Sequence, residues 1–352
     1  MDAAAQFAPV DSPDADARQR MLEVFAASPR GLSYGRLVGV AGDLAGWQGQ
    51  VPPTPLQQPR VVIFAGDHGV AARGLSAYAP SASMEQATEL QAGGGPAHIF
   101  ARATSASVRL IDVSLDHDAW SEERVRRASG AIDVEDAMTG PELERALEVG
   151  KRIADQEVDA GADILIPGDL GVGVTTVAAA LMGAYSRTEP VAVVGPGSGI
   201  NDDMWKVKVS VIRDAMFRAR DQRAQPLEVL RRIGSPDLAA LVGFIAQAAS
   251  RRTPVLLDGA PVTVAAYVAF RLSKNVRDWL IAGQLSPEPA HLLALQRLEL
   301  TPLIALEMST GQGAGALAAL PLIIAASELA ADEAEEFTAA VAEIQEHDSQ
   351  GE

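Results

Sequence analysis

The sequence predicts an α/β fold built on a doubly wound, mostly parallel sheet. Five apolar, β-branched segments have the length of strands, and none alternates apolar with polar residues as a one-sided sheet would. Segments with helical periodicity separate these strands. Strands that alternate with helices indicate right-handed crossovers, and ligands then bind at the carboxyl ends of the strands.

The predicted elements follow one another in a regular order. The strands are expected at residues 60–65, 107–113, 163–166, 190–194 and 254–258. The helices are expected at residues 82–101, 142–160, 175–185, 205–220 and 236–250. A further apolar stretch at 317–331 contains Pro321 and Glu328 and is too short to span a bilayer, so it predicts a buried helix.

The composition predicts a globular protein with a large core. The 352 residues are 48% hydrophobic and 21% charged, which allows one or two domains. The net charge of −17 and the scattered 29 Lys and Arg residues disfavour a nucleic acid or an acidic membrane as partner. The chain has no cysteine, which excludes disulfides, thiolate nucleophiles and cysteine-ligated metals. It has no secretory signal pattern, so the cytoplasm is the expected compartment.

The most informative segment is residues 167–176, which read Pro-Gly-Asp-Leu-Gly-Val-Gly-Val-Thr-Thr. It follows an apolar run and precedes a helical pattern, so unpaired N–H groups and the hydroxyls of Thr175 and Thr176 predict a phosphate site. Two glycines have the Walker spacing, but Val174 stands where that loop needs Lys, and the dinucleotide Gly pattern fails as well. The alternative is a glycine-capped turn that serves packing only.

Polar or glycine-rich residues also follow the other predicted strands. They lie at residues 66–70 with 74–78, at Asp112, at 195–202 and at 258–259. Because the carboxyl ends of parallel strands share one edge of the sheet, these segments are expected to converge there.

Several of these residues allow a structural as well as a functional interpretation. Asp67 and His68 are expected to form a hydrogen-bonded pair that shapes the loop, in preference to a metal site. Asp202 and Asp203 are most simply a helix N-cap. Tyr78 could stack on a ligand or pack as an ordinary wall residue.

Taken in this order, the segments resemble the nicotinate-nucleotide:5,6-dimethylbenzimidazole phosphoribosyltransferase family of cobalamin lower-ligand assembly. The resemblance runs from about residue 29 to about residue 337 and rests on six motifs together. The motifs are Asp-His-Gly-Val at 67–70 with Gly74 and Tyr78, Gly-Asp-Leu-Gly-Val-Gly-x-Thr-Thr at 168–176, Gly-x-Gly-Ser-Gly-Ile at 195–200 with Lys208, Leu-Asp-Gly at 257–259, Ser-x-Glu-Pro-x-His at 286–291, and Gly-x-Gly-x-Gly-Ala at 311–316.

The resemblance implies a Rossmann-like core, a smaller helical lobe formed from both chain ends, and a homodimer. It implies that residues 1–55 belong to the lobe, 56–285 to the core, 286–340 to a glycine-rich loop and final helices, and 341–352 to an acidic tail. The implied reaction transfers phosphoribose from nicotinate mononucleotide to a benzimidazole nitrogen, which gives an α-ribosyl phosphate and nicotinate. Because the pyridinium leaving group is already cationic, no cofactor, Mg²⁺ or other metal is expected.

The resemblance also implies a set of substrate-binding residues. The donor phosphate is expected on residues 171–176 and 197–199, with charge from Lys208, and the accepting base near Tyr78 and Met84. The full set is Ser76, Tyr78, Met84, Asp169, Gly171, Gly173, Thr175, Thr176, Gly197, Ser198, Gly199, Lys208, Asp258, Ser286, Glu288, His291, Gly311, Gly313 and Gly315.

The sequence departs from the family at the position of the catalytic base. The family motif reads Arg-Leu-Gly-Glu-Gly-Thr-Gly-Ala, and its Glu removes the ring proton of the benzimidazole. Here Gln312 replaces that Glu, and Ser309 replaces the Arg. A carboxamide cannot take up a proton, so transfer should be slower by about 10²- to 10⁴-fold, or should use Glu85, Asp67 or Glu288 as a substitute base.

Further departures lie in the same loops. They are Val174 for Asn, Gln284 for His, Ala290 for Gly, Glu85 for Gln, and Asp169 for Glu. Two hypotheses follow. The first is a phosphoribosyltransferase that is slow or uses another acceptor. The second is a non-catalytic homologue that binds a nucleotide or a benzimidazole, or that acts as a regulatory or partner subunit.

Overall fold

The computed structural model describes residues 7–119 and 121–350. Within them lies a five-stranded sheet whose strand pairs are all parallel, which confirms the predicted α/β class. The strands are β1 (Pro59–Gly66), β2 (Ser107–Ser114), β3 (Ile164–Leu170), β4 (Val255–Leu257) and β5 (Leu280–Ala282).

The strand order β2-β1-β3-β4-β5 creates a switch point between β1 and β3. The chain leaves β1 towards β2 on one side and later returns to β3 on the other side. The loops that follow β1 and β3 therefore diverge and leave a crevice at the carboxyl ends of these two strands. Asp169, near the end of β3, pairs in register with Phe64 of β1.

Helices connect and cover the strands. In chain order they are α1 (Ala15–Ala26), α2 (Pro29–Leu32), α3 (Arg36–Gln48), α4 (Ala82–Gln91), α5 (Gly95–Thr104), α6 (Gly140–Asp159), α7 (Val174–Ser186), α8 (Pro190–Val193), α9 (Asp202–Arg218), α10 (Pro226–Ile233), α11 (Pro236–Ser250), α12 (Ala260–Leu272), α13 (Pro289–Leu298) and α14 (Ala314–Gln350). Within the described residues, 3₁₀ helices lie at Gly69–Arg73 and Lys274–Trp279.

The strand predicted at 190–194 was wrong. Pro190 occupies the first position of the short helix α8, where its fixed φ and missing N–H are tolerated. Val191 is 54% exposed, so this run does not lie in a buried sheet. The sheet instead gains β5, a strand of three residues that was too short to be predicted.

The helix predicted at 82–101 is two helices. Helix α4 ends at Gln91, and Gly93 and Gly95 adopt positive φ values of 79° and 81° before α5 continues. Residues other than glycine rarely adopt this conformation, so the glycines break the helix. The chain therefore changes direction between the end of α4 and the start of α5.

The chain divides into two compact units. Of the described residues, one unit contains residues 7–10 and Gln58–Ala318, and the other consists of Asp11–Gln57 and residues 319–350. The second unit is therefore a helical lobe formed from both chain ends, as predicted. Within it, Glu333 of α14 is buried and accepts hydrogen bonds from Ser28 Oγ at 2.9 Å and Arg30 Nε at 2.7 Å.

Helix α14 is longer than predicted. Its apolar part, Ala314–Ala339, is long enough to cross a membrane by length and composition, so the expectation of a stretch too short to span was wrong. The helix continues through Pro321. However, 56% of its most apolar part is buried inside the protein, as in the core helix of a globular fold.

Candidate functional site

A cavity of about 550 Å³ opens beside the end of β3. Segments that are distant in sequence form its walls. The lining residues are Leu75, Ser76, Tyr78, Ser83, Gln86, Glu89, Pro96, Asp169, Leu170, Gly171, Val172, Gly173, Val174, Thr175, Gly197, Ser198, Lys208, Ser309, Thr310, Gly311 and Gln312.

The turn between β3 and α7 has the geometry of an anion site. Gly173 is the N-cap of α7 with φ +96°, and a Cβ at Gly171 would overlap the carbonyl oxygen of Gly66, so both positions require glycine. The N–H groups of Gly173 and Thr175 have no backbone acceptor within the described residues. Donors at a helix N-terminus that face a cavity favour a bound anion.

Lys208 of α9 adds a cation to this turn. It is 1% exposed, and its Nζ donates to Thr175 Oγ1 at 3.1 Å and to the Gly195 carbonyl at 3.3 Å. Burial lowers the pKa of Lys208, although the Glu288 carboxylate acts in the opposite direction. Since an ammonium has three donors, one remains for a ligand.

A serine contact joins two walls of the cavity. Ser198 Oγ lies 3.0 Å from Ser76 Oγ and accepts the N–H of Ala77 at 3.1 Å. This links the loop after β1 to the loop before α9. Tyr78 follows directly and is 55% exposed, so its ring remains accessible to a ligand.

Asp169 is the buried carboxylate of the cavity. It is 6% exposed, and its Oδ1 has no hydrogen-bond partner among the described residues. Burial, together with the charges of Asp258 and Asp237, raises the pKa of Asp169 to about 7. A carboxyl group with this pKa exchanges a proton near neutral pH, as a general acid or base must.

Gln312 lies next to Asp169. Its backbone N–H donates to the Asp169 carbonyl at 2.9 Å, its φ is +60°, and it is 3% exposed. Its Nε2 donates to Gln86 Oε1 at 3.4 Å, and its Oε1 has no partner in the described part of the chain. The carboxamide oxygen is therefore available to accept a hydrogen bond from a ligand.

The structure brings about half of the predicted site residues together. Those that line the cavity are Ser76, Tyr78, Asp169, Gly171, Gly173, Thr175, Gly197, Ser198, Lys208, Gly311 and Gln312. Those that do not line it are Asp67, Met84, Glu85, Thr176, Gly199, Asp258, Ser286, Glu288, His291, Gly313 and Gly315.

None of the three proposed substitute bases, Glu85, Asp67 and Glu288, lines the cavity. Glu85 is exposed, while Gln86, one residue on, lines the cavity. Asp67 Oδ2 accepts the N–H of Asp116 at 2.8 Å. Its neighbour His68 does not pair with it as predicted, since Nδ1 of His68 contacts the Val172 carbonyl at 3.1 Å.

His68 is a buried residue that contacts the anion-binding turn. Its Nε2 lies 3.3 Å from Asp237 Oδ1, and both side chains are buried. Burial alone lowers the pKa of His68, but the Asp237 carboxylate outweighs it, so the pKa is raised. His68 thus holds the carbonyl of the turn while the N–H of Val172 donates to Ser83 Oγ at 3.0 Å.

Other motif residues do not line the cavity but form hydrogen bonds that stabilise neighbouring loops. Asp258 Oδ1 accepts the N–H of Ala316 at the start of α14, at 3.2 Å. Nδ1 of His291 lies 2.8 Å from Ser286 Oγ and accepts the N–H of Ser286 at 3.2 Å. Burial lowers the pKa of His291 to about 4, so its ring is neutral at physiological pH.

Helix α4 lines the cavity through residues other than Met84 and Glu85, which the sequence predicted beside the accepting base. Ser83, Gln86 and Glu89 of α4 all line it. Their spacing of three residues places them on one face of the helix. A signal was therefore present in the sequence, but it could not be separated from an ordinary solvated face.

We expect inorganic phosphate to stabilise the fold, because the turn offers unpaired N–H groups and Lys208. At one hundred times its dissociation constant, a ligand adds about 2.7 kcal/mol to the free energy of unfolding, which a thermal melt detects. Thr175→Ala should weaken this effect. Thr176→Ala, at a buried side chain outside the cavity, should lower stability without changing phosphate affinity. A melting temperature that does not respond to millimolar phosphate would contradict the assignment of the turn.

Comparisons with known proteins identify the family to which the chain is similar. A family model described as "Phosphoribosyltransferase" matches residues 10–341. A Corynebacterium glutamicum protein named nicotinate-nucleotide–dimethylbenzimidazole phosphoribosyltransferase is 58% identical over 300 residues, which cover 85% of this chain and 84% of that protein. A Mycobacterium marinum protein of the same name is 47% identical over 326 residues and 91% of each chain. The crystal structure of the Thermus thermophilus protein of that name has a TM-score of 0.84 at 34% identity, and the match covers 90% of this chain and 96% of that one.

Proposed function

The chain belongs to the nicotinate-nucleotide–dimethylbenzimidazole phosphoribosyltransferase family, and on this premise we propose that it transfers phosphoribose from nicotinate mononucleotide to 5,6-dimethylbenzimidazole or a related base. The products are α-ribazole phosphate and nicotinate. The proposal rests on one observation: a single cavity is lined both by an anion-binding turn and by a buried carboxylate, Asp169. The pKa of Asp169 is about 7.

The donor binds through its 5′-phosphate. Gly173, Thr175 and Lys208 line the cavity, and the N–H groups of the first two have no backbone acceptor among the described residues, so a phosphate bound there can receive hydrogen bonds and an opposite charge. A phosphate held in this way restricts the position of the attached ribose. C1′ of the ribose then points towards the walls that hold the accepting base.

Two bonds change at C1′, and one N–H bond of the accepting base breaks. An unprotonated ring nitrogen of the base forms a bond to C1′, while the bond from C1′ to the pyridinium nitrogen breaks and its electron pair neutralises the leaving nicotinate ring. The other ring nitrogen of the base becomes acidic and loses its proton. The protein must therefore supply a proton acceptor at the base end of the cavity.

We assign Asp169 as this proton acceptor. It lines the cavity, whereas Glu85, Asp67 and Glu288 do not. Its pKa of about 7 lets the ionised form be present at neutral pH and still accept a proton well. Gln312 accepts a hydrogen bond from the base through Oε1 but cannot take the proton, which makes transfer slower than with Glu at this position.

One assay tests the function directly. Purified protein is incubated with nicotinate mononucleotide and dimethylbenzimidazole, and the products are separated by chromatography. We expect α-ribazole phosphate and nicotinate in equal amounts. A protein that binds both compounds but forms no product would support the non-catalytic alternative, which the replacement of the family's Glu by Gln312 favours.

The family resemblance also supports a proposal about the quaternary structure and the cellular compartment. We propose a homodimer in the cytoplasm. In the apolar stretch expected at the dimer surface, residues 317–326, Leu317, Leu320 and Ile323 are buried within the chain, while Leu322 and Ile324 are half-buried. The exposed apolar side chains of Leu32 and Phe337, in the same helical lobe, extend the surface that a second copy could cover.

We expect light scattering to give about twice the chain mass of 36.8 kDa at micromolar concentration. A two-fold partner that covers exposed apolar residues accounts for this mass. Leu32→Glu should shift the population towards the monomer, whereas a matched change at exposed Phe217 on α9 should not. A wild-type monomer would contradict the proposed assembly.

A further inference from the structure

We propose that Glu288 is a positioning residue, which anchors the loop at Gly197 through its N–H and holds the Lys208 ammonium in place for the donor phosphate, without touching the substrate. The inference rests on the proposed function, because it concerns the phosphate end of that site. It replaces the expectation that Glu288 binds substrate or acts as a base.

The Glu288 carboxylate contacts both parts of the phosphate wall. Its Oε1 accepts the N–H of Gly197 at 2.6 Å, and its Oε2 lies 4.0 Å from Lys208 Nζ. A Cβ at Gly195 would overlap the same carboxylate, so the loop packs directly on it. Glu288 is 3% exposed and does not line the cavity, and it therefore acts from behind the wall.

The local chain fixes Glu288 where it is needed. Glu288 is the N-cap residue of α13, and Pro289 begins that helix. The contacts between Ser286 and His291 close the preceding turn. An anionic side chain is favourable at a helix N-terminus, which offsets part of the cost of burying the carboxylate.

Lys208 depends on this carboxylate for its charge. Its two hydrogen-bond partners, Thr175 Oγ1 and the Gly195 carbonyl, are neutral. Burial lowers the pKa of Lys208 and Glu288 raises it; among the described residues, Glu288 of α13 is the charged group that acts on this ammonium. Without Glu288, Lys208 should lose its proton at a lower pH and bind phosphate less well.

Two roles of Glu288 can be separated by substitution. Glu288→Gln keeps an acceptor for the Gly197 N–H but removes the charge beside Lys208. Glu288→Asp keeps the charge but shortens the side chain away from Gly197. The first variant should make phosphate binding depend on pH, and the second should weaken binding equally at all pH values.

The experiment measures the dissociation constant of inorganic phosphate between pH 6.5 and 9, together with the melting temperature. For Glu288→Gln we expect affinity at pH 9 to be about tenfold below that at pH 6.5, with a smaller change in wild type. Because Glu288 acts through Lys208, the same substitution in a Lys208→Met background should add no further pH dependence. Glu85→Gln, on an exposed residue outside the cavity, is the matched control.

Each outcome decides the proposal. Wild-type pH dependence and affinity in Glu288→Gln would overturn it. If that variant does not fold, Glu288→Asp decides: uniformly weaker binding supports the proposal, and wild-type binding overturns it. If wild type binds phosphate but the variants do not show the expected changes in affinity, the proposal for Glu288 is wrong and the phosphate site of the proposed function stands. If wild type binds none, the phosphate site of the proposed function fails, and Glu288 has no such site to support.

Discussion

Replacing Asp169 by asparagine should lower kcat for phosphoribosyl transfer by about 100-fold or more. The change removes the one buried carboxylate that lines the described cavity and keeps nearly the same shape. General-base assistance contributes about 10² to 10⁴ in rate, and an amide cannot supply it. KM for nicotinate mononucleotide should change little, because the phosphate turn is untouched. Initial rates of nicotinate release at saturating base measure both quantities.

The stability of Asp169→Asn separates catalysis from folding. Because the pKa of Asp169 is raised in the folded state, from its usual 3.8 to about 7, its stabilising contribution is present below about pH 4 and is lost as the pH rises to 7. At pH 8 the asparagine variant should therefore be at least as stable as wild type. Glu89→Gln, at an exposed carboxylate of the same cavity, is the matched control and should retain most activity. An active Asp169→Asn with an inactive Glu89→Gln would reassign the proton acceptor.

Replacing Gln312 by glutamate should raise kcat by at least about tenfold, which is the low end of what general-base assistance supplies. Gln and Glu have nearly the same shape, and Oε1 of Gln312 is buried without a partner among the described residues, so the carboxylate faces the same ligand atom. The variant regains a proton acceptor at the position where the family has one. The measurement is the rate of α-ribazole phosphate formation at pH 8.

Two comparisons make this result specific. In the Asp169→Asn background, Gln312→Glu should restore much of the lost rate, because either carboxylate can then accept the proton. Gln312→Met, which keeps the length but has no carboxamide oxygen, should raise KM for the base. A fall in activity on Gln312→Glu would show that the carboxamide itself serves the reaction.

The fold could be predicted largely because its signals are local. Four of the five strands coincide with segments rich in apolar, β-branched residues, and the helices between them have clear periodicity. Residues 190–194 have the same composition as a strand, but Pro190 starts a helical turn at the surface. β5 has three residues, which is too few for a pattern.

The site could be predicted only where glycine or a motif marks it. Gly171, Gly173 and Gly197 indicate that the backbone can approach a ligand closely, and each of them lines the cavity. The pKa of Asp169 could not be predicted, because it depends on burial and on Asp258 and Asp237, which folding brings near from distant positions. Whether a motif residue faces the ligand or supports a loop likewise depends on packing that one sequence does not encode locally.

The most direct test of the account is the pH dependence of transfer at saturating substrates. Since the accepting base also protonates in mildly acidic solution, wild type is compared with the Asp169→Asn/Gln312→Glu double variant, in which a different carboxylate accepts the proton. We expect the wild-type rate to rise with pH through about 7 to a plateau, and the midpoint of this rise to move in the double variant. Identical profiles for the two proteins, or the absence of product from wild type at every pH, would contradict it.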